Sequence, residues 1–580
     1  MTSRRLVSVL ILGLALSFLC PPRSTGQSPV DPSKLPARTS FYLLWHGTPS
    51  GDVRAKNSLY ALWDDPDFAP ARSAFVASLV SSNDKQKDKP AFTREEAAQY
   101  ITLLDNPFLL GYLRHPEPPA APKPASPQDK PVWNGMFLIY DRTGKEELLS
   151  KAVLRFRGTE TQVPTLTNLT VAGVSALKVE RKSGVSYWAE FSKFAVAAQE
   201  LPVFEEILNL LNGKSGPTSL SQSPAFEEAK PLLTGGLLEF FLNASNLKEL
   251  ALDSAPGGPT EQLKPFLNAL KIDSLHSVAG HLSLEGTRTH VHGAILGETT
   301  PGGLFDIFSD GQANPASLAF VAPETLYYSE SQINFLGLYR VLKRAIAQAG
   351  GNTAQTVTVL ESLAATRLGM PLEDALGLTT GEFASLQTSP AFDKNQQVYF
   401  LGIRNKPDTL KLARTLMGDR ITSERNEGST TFLKISLQGG QSSAGVAQWS
   451  FYHLAVTPNA LLGASKSDTL HNYLGRAAAG SDPTSSKGLQ AVRTQFPEKL
   501  SGLTFLDFQK VDWPALKASW IAEANKASQS AKSADAAKTN ANLSNWLSQI
   551  NPDVIPRHLH TLAGAGWKDA KGVHFDEWLD

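Results

Sequence analysis

The histidines are the residues whose type and spacing come nearest to chemistry in this chain. His290-Val291-His292 sets two imidazoles one residue apart. In a strand such positions share a face, because side chains repeat every two residues. Two rings on one face can hold zinc or copper. His558-Leu559-His560 has the same spacing. When the two halves of the chain are aligned, however, His276 matches His560 and His292 matches His574, so each pair has one unmatched member. No His-Glu-x-x-His follows, and no Cys or carboxylate stands at ligand spacing. The expectation is that these histidines close hairpins or bond backbone carbonyls. No catalytic residue, metal or cofactor is expected.

His276 and His560 are also candidates for general bases, which need a nucleophile or a substrate pocket. Ser150-Lys151 and Ser465-Lys466 lack the Ser-x-x-Lys spacing that shares a helical face. There is no Gly-x-Ser-x-Gly elbow and no glycine-rich phosphate cradle after a strand. An enzyme is therefore not the leading expectation, and a hydrolase using the two histidines is the second alternative.

The elements that must position these residues recur along the chain. Leu275-His276-Ser277-Val278-Ala279-Gly280 returns as Leu559-His560-Thr561-Leu562-Ala563-Gly564. Thr39-Ser40-Phe41-Tyr42 returns as Thr325-Leu326-Tyr327-Tyr328, and Phe137-Leu138-Ile139-Tyr140 as Phe400-Leu401-Gly402-Ile403. Alternating apolar runs joined by short turns predict mainly antiparallel sheet, and runs of period 3.6 predict covering helices. The expected fold is α+β, as two tandem duplicated units at 35–298 and 316–580, each with its own sheet, joined by a linker at 299–315. Residues 115–131 are Pro- and Ala-rich and read as an inserted linker. Residues 517–545, rich in Ala, Ser, Lys and Asn, read as an inserted, exposed helix. Trp188 and Trp449 are expected in core strands. Trp513, Trp520, Trp546, Trp567 and Trp578 are expected to pack the extra helix rather than to line a cleft.

The first 26 residues read as a signal peptide. Arg4 and Arg5 precede an apolar run from Leu6 to Cys20, and Ser24 and Gly26 suit a cleavage site before Gln27. That run is shorter than the roughly 20 residues that span a bilayer, so cleavage is expected rather than retention as an anchor. Bulky Leu19 before Cys20 argues against lipid attachment. The chain has 1 cysteine, which leaves with the signal, so no disulfide is expected. Hydrophobic residues make up 42% and charged residues 19%, the balance of a globular chain. Lys+Arg and Asp+Glu both number 55, and no basic cluster follows the chain, which excludes nucleic acid as the expected partner. No segment of the mature chain reads as transmembrane.

Three stretches carry a resemblance. These are Leu35-Pro36-Ala37-Arg38-Thr39 before an aromatic strand, Leu372-Glu373-Asp374-Ala375-Leu376-Gly377 before a strand, and Leu454-Ala455-Val456 followed by Leu461-Leu462-Gly463-Ala464-Ser465 and a helix. They resemble an uncharacterised family of exported bacterial proteins, a domain of unknown function. Unit one departs from its pattern, with Glu200-Leu201-Pro202 in place of the Gly-Ala-Ser stretch. The resemblance implies export and an α+β fold, and no site residues. The expected function is that of an exported envelope protein, periplasmic or surface-exposed in a Gram-negative-type bacterium, that binds or scaffolds an unknown protein or apolar ligand. The first alternative is a periplasmic carrier of a lipid or other apolar ligand, suggested by the many Leu and Phe residues between Leu201 and Leu242.

Overall fold

The computed structural model describes residues 31–81, 94–114, 135–157, 165–181, 184–214, 218–246, 267–268, 270–299, 303–349, 352–436, 453–478, 486–531 and 533–580. The signal segment 1–26, the Pro-rich 115–131 and Trp449 lie outside them.

Helices and antiparallel strands are both present, and the strands form one 20-stranded sheet. They are β1 (Thr39–Trp45), β2 (Phe108–Leu113), β3 (Met136–Asp141), β4 (Thr165–Val171), β5 (Val174–Arg181), β6 (Gly184–Phe191), β7 (Phe194–Ala198), β8 (Leu238–Asn243), β9 (Leu275–Glu285) and β10 (Arg288–Gly297). The series continues with β11 (Tyr327–Gln332), β12 (Thr379–Gln387), β13 (Gln397–Ile403), β14 (Ile421–Glu427), β15 (Thr430–Ile435), β16 (His453–Val456), β17 (Ala460–Ala464), β18 (Gly502–Asp507), β19 (Thr561–Asp569) and β20 (Gly572–Leu579). From one edge the order is β4-β5-β6-β7-β3-β2-β1-β8-β9-β10. It continues without a break as β20-β19-β18-β11-β12-β13-β17-β16-β15-β14.

This corrects the expectation of two duplicated units, each with its own sheet. The sheet does not stop between them: β10 and β20 pair from Thr289↔Leu579 to Leu296↔Gly572. The packing is shared as well. Leu59, Leu62, Trp63 and Phe68 form one cluster with Leu326, Leu506, Phe508, Trp513 and Trp546. Early helices thus cover late strands, and the fold is a mixed, sheet-rich whole. Recurring sequence did not reveal this, because edge-to-edge pairing of backbone leaves no mark on residue type.

The sheet buries side chains in alternation. On one face Tyr42, Leu109, Phe137, Val196 and Phe241 pack under the helix Leu201–Leu211, which turns Val203, Phe204, Ile207 and Leu208 inward at helical spacing. Further along that face Tyr328, Phe400, Leu462 and Phe505 pack under the helix Ser467–Ala478 through Leu470 and Tyr473. Each such aromatic contributes roughly 2–3 kcal/mol of burial.

On the opposite face the helices Trp513–Gln529 and Ala534–Ser548 lie against Leu506 and Leu562. The described residues of 517–545 fall in these two helices and the connection between them. Trp513 and Trp546 are only 3% and 8% exposed. Residues 304–307 form a single 3-10 turn with Phe305 buried. Among the described residues, no helix is long and apolar enough to cross a membrane.

Candidate functional site

The chemistry-bearing residues meet at the middle of the sheet, where β9, β10, β20 and β19 lie side by side. The β9–β10 hairpin turns on Gly286-Thr287, and Gly286 has φ +65°. A two-residue hairpin loop asks for a positive φ at this position, which glycine adopts without steric cost. That turn sets the register, placing His292 opposite His281 and His290 opposite Ser283. Pairing with β20 then places Asp576 opposite His292 on the other side. Cross-strand neighbours share a face, so His281, His290, His292 and Asp576 all project together.

The geometry is tight. Asp576 Oδ1 lies 2.5 Å from His290 Nε2, and Oδ2 lies 3.4 Å from His292 Nδ1. His290 Nδ1 is 2.9 Å from Glu285 Oε1, which also accepts from Ser283 Oγ at 3.0 Å. His281 Nδ1 donates to the Leu232 carbonyl at 2.8 Å, and its ring centroid is 5.9 Å from that of His292.

Both nitrogens of His290 face carboxylates. The hydrogen bond to Asp576 does most to favour its charged form, and its pKa is pushed up to about 9. Burial opposes ionisation of Asp576. The hydrogen bonds from His290 and His292 outweigh it, and the Asp576 pKa is held down at about 2. The pair is an imidazolium and a carboxylate at neutral pH.

Of the histidines singled out in the sequence, the structure unites His290 and His292 with Asp576 and leaves the others apart. His276 bonds Glu228 at 2.6 Å at the start of β9. Its end of the sheet is the one where Ser277 meets Leu296 and Leu296 meets Gly572. His560 precedes β19 beside Asp580, at the other end of β20. The length of β20, about 25 Å, lies between them. His558 ends the short helix Ile555–His558 and bonds Asp65 at 2.8 Å, so it does not share a strand face with His560. His574 stacks on Trp567 with ring centroids 5.3 Å apart and pairs with Asp569 at 3.1 Å.

Asp576, Glu285 and His281 were missed. Period-two alternation in His574-Phe575-Asp576 puts His574 and Asp576 on one face, but only the β10–β20 pairing brings Asp576 to His292.

On the reverse face of the same strands is a cavity of about 240 Å³. Gly502 pairs with Gly566, and Gly564 is two residues along from Gly566, so three positions on β18 and β19 carry no side chain. Tyr327, Leu562, Phe575 and Glu577 wall the space they leave. Burial raises the Glu577 carboxyl above its usual range, and among the described residues none donates a hydrogen bond to it. Such a site can hold an apolar group that carries a polar end. No family model, curated protein or solved structure matches the chain.

Proposed function

We propose that this chain is a non-enzymatic binding protein of the bacterial envelope that seats a small apolar group in the cavity over β18, β19 and β20. The observation that carries this reading is the run of Gly502, Gly564 and Gly566 beneath a space of about 240 Å³ walled by Tyr327, Leu562 and Phe575. Bare backbone between aromatic and aliphatic walls, with the Glu577 carboxyl beside them, suits a ligand site. The volume is below that of a whole lipid site, so it suits a compact ring system or one end of a longer molecule. Export is supported by the signal-like residues 1–26. A hydrolase with His276 and His560 acting together is disfavoured by their positions at opposite ends of the strands.

The test uses N-phenyl-1-naphthylamine, an uncharged probe that fluoresces in apolar surroundings. Saturable binding of one probe per chain is expected, and Gly566→Ile removes it by filling the floor. Equal binding by the variant, or no saturable binding by the parent protein, would refute the reading. Native mass spectrometry of protein purified without detergent extends the test to a retained natural ligand.

A further inference from the structure

We propose that His290, His292 and Asp576 form a binding site for a divalent first-row transition ion, zinc by ligand type, that clasps β10 to β20. Each residue offers one ligand atom, and the three atoms lie within 4.8 Å of one another. Ligands held at about 2 Å by one tetrahedral ion stand roughly 3.3 Å apart, so small side-chain rotations bring all three atoms to a single ion. The side chains are 20%, 25% and 18% exposed, open enough to admit an ion and enclosed enough to hold it.

The surroundings match what metal-binding histidines need. A ligating imidazole is usually fixed by an oxygen on its other nitrogen. His290 has this arrangement, with Nδ1 on Glu285 and Nε2 turned toward Asp576. Glu285 is itself held by Ser283. His281 is arranged in the same way. Its Nδ1 donates to the Leu232 carbonyl, a group that only accepts, so in the neutral ring the lone pair is on Nε2. His281 stands directly across from His292, outside the group of three ligands, with its ring fixed beside them. Two imidazoles and one carboxylate, with a fourth position left open, is a common zinc ligand set.

The ion takes the place of the proton between His290 and Asp576. On binding, His290 Nε2 releases its proton to solvent, His290 becomes a neutral ligand and Asp576 remains a carboxylate. The consequence is mechanical: 286 residues separate His290 from Asp576, and the ion cross-links them.

The test is titration of the chelator-stripped full-length protein with zinc chloride by calorimetry, and with cobalt chloride by visible absorption. One zinc per chain is expected, and cobalt should show the d–d bands of a low-coordinate nitrogen and oxygen site. His292→Ala and Asp576→Asn each weaken binding by roughly tenfold or more, and Glu285→Gln, which acts through His290, by about tenfold. Unchanged affinity in folded His292→Ala and Asp576→Asn protein overturns the proposal. If those variants do not fold, zinc-edge X-ray absorption of the parent protein decides the matter. Two imidazoles and a carboxylate around the ion support it, and any other ligand set, or no bound zinc, overturns it.

Discussion

The guanidinium of Arg288 lies over the indole of Trp578, 4.1 Å from the ring centroid. The two residues belong to β10 and β20, so the contact spans the seam at which the sheet becomes continuous. Arg288 also donates to Gln495 Oε1 at 2.8 Å, while Trp578 is buried against the core beside Ala563 and Phe505. A cation held over an indole at a half-exposed site contributes about 1 kcal/mol. Arg288→Ala should lower stability by about that amount. Trp578→Ala should lower it by about 3–5 kcal/mol, because it also empties a core position. Calorimetric scans of the two variants and of the double variant give the coupling. Strict additivity would show that the stacked pair contributes nothing of its own.

Glu330 should give the protein a stability that falls between pH 4.5 and pH 7. Its side chain, on a residue 3% exposed, accepts from Gln332 at 2.8 Å and from the Tyr328 hydroxyl at 3.1 Å. Burial first, and then the nearby Glu382 carboxyl, raise its pKa to about 7. An acid with a raised folded-state pKa binds its proton more tightly in the folded chain. Its contribution is therefore complete below the unfolded value near 4.5 and is lost as pH rises to 7. The span corresponds to about 3 kcal/mol. Glu330→Gln keeps an amide for the same neighbours and cannot ionise. It should raise the thermal midpoint at pH 8, leave it nearly unchanged at pH 4.5, and flatten the slope between.

Two strand glycines near the site should respond in opposite ways to a side chain. A Cβ on Gly293 would meet the Phe575 ring at 2.4 Å, since that ring lies across the bare position. Gly293→Val should cost about 1–3 kcal/mol and displace Phe575. A Cβ on Gly566 meets nothing nearer than 3.6 Å. Gly566→Ala should therefore be neutral or stabilising by up to about 1 kcal/mol, because glycine in a strand forgoes packing and loses entropy. Thermal midpoints of the two variants, compared under one condition, check the contrast.

The helices Trp513–Gln529 and Ala534–Ser548 depend on a few apolar anchors. Trp546 and Leu547 sit in the cluster with Phe68 and Trp513, and the Trp513 indole donates to the Phe508 carbonyl at 3.1 Å. Much of the remaining surface of this pair is Ala, Ser, Lys and Asn. Trp546→Ala should cost about 3–5 kcal/mol locally. In hydrogen exchange, residues 513–548 should lose protection well before β19 and β20 do. Equal loss of protection across the sheet would contradict local docking.

Part of this was legible in the sequence. Alternation and the Glu285-Gly286-Thr287-Arg288 turn mark the β9–β10 hairpin, and His-x-His spacing puts His290 and His292 on one face. The third member of the cluster was not legible, because Asp576 reaches His292 only through pairing of strands far apart in the chain. Recurring motifs suggested self-contained sheets, whereas backbone hydrogen bonding between β10 and β20 is indifferent to side chains. Glu330 carried a readable sign. In Tyr328-Ser329-Glu330-Ser331-Gln332 a carboxyl and an amide occupy the alternate positions that begin with a core tyrosine, which marks them as buried and in need of partners.

The seam also has a consequence for the order of assembly. During synthesis β10 forms its hairpin with β9 long before β20 exists, so its outer edge waits with unpaired N–H and C=O groups. An open edge of this kind invites pairing with the wrong chain. Here the waiting strand carries His290 and His292, polar rings that make its edge a poor apolar template. Closing the sheet is then a late, long-range event, which sets it among the slow steps of folding.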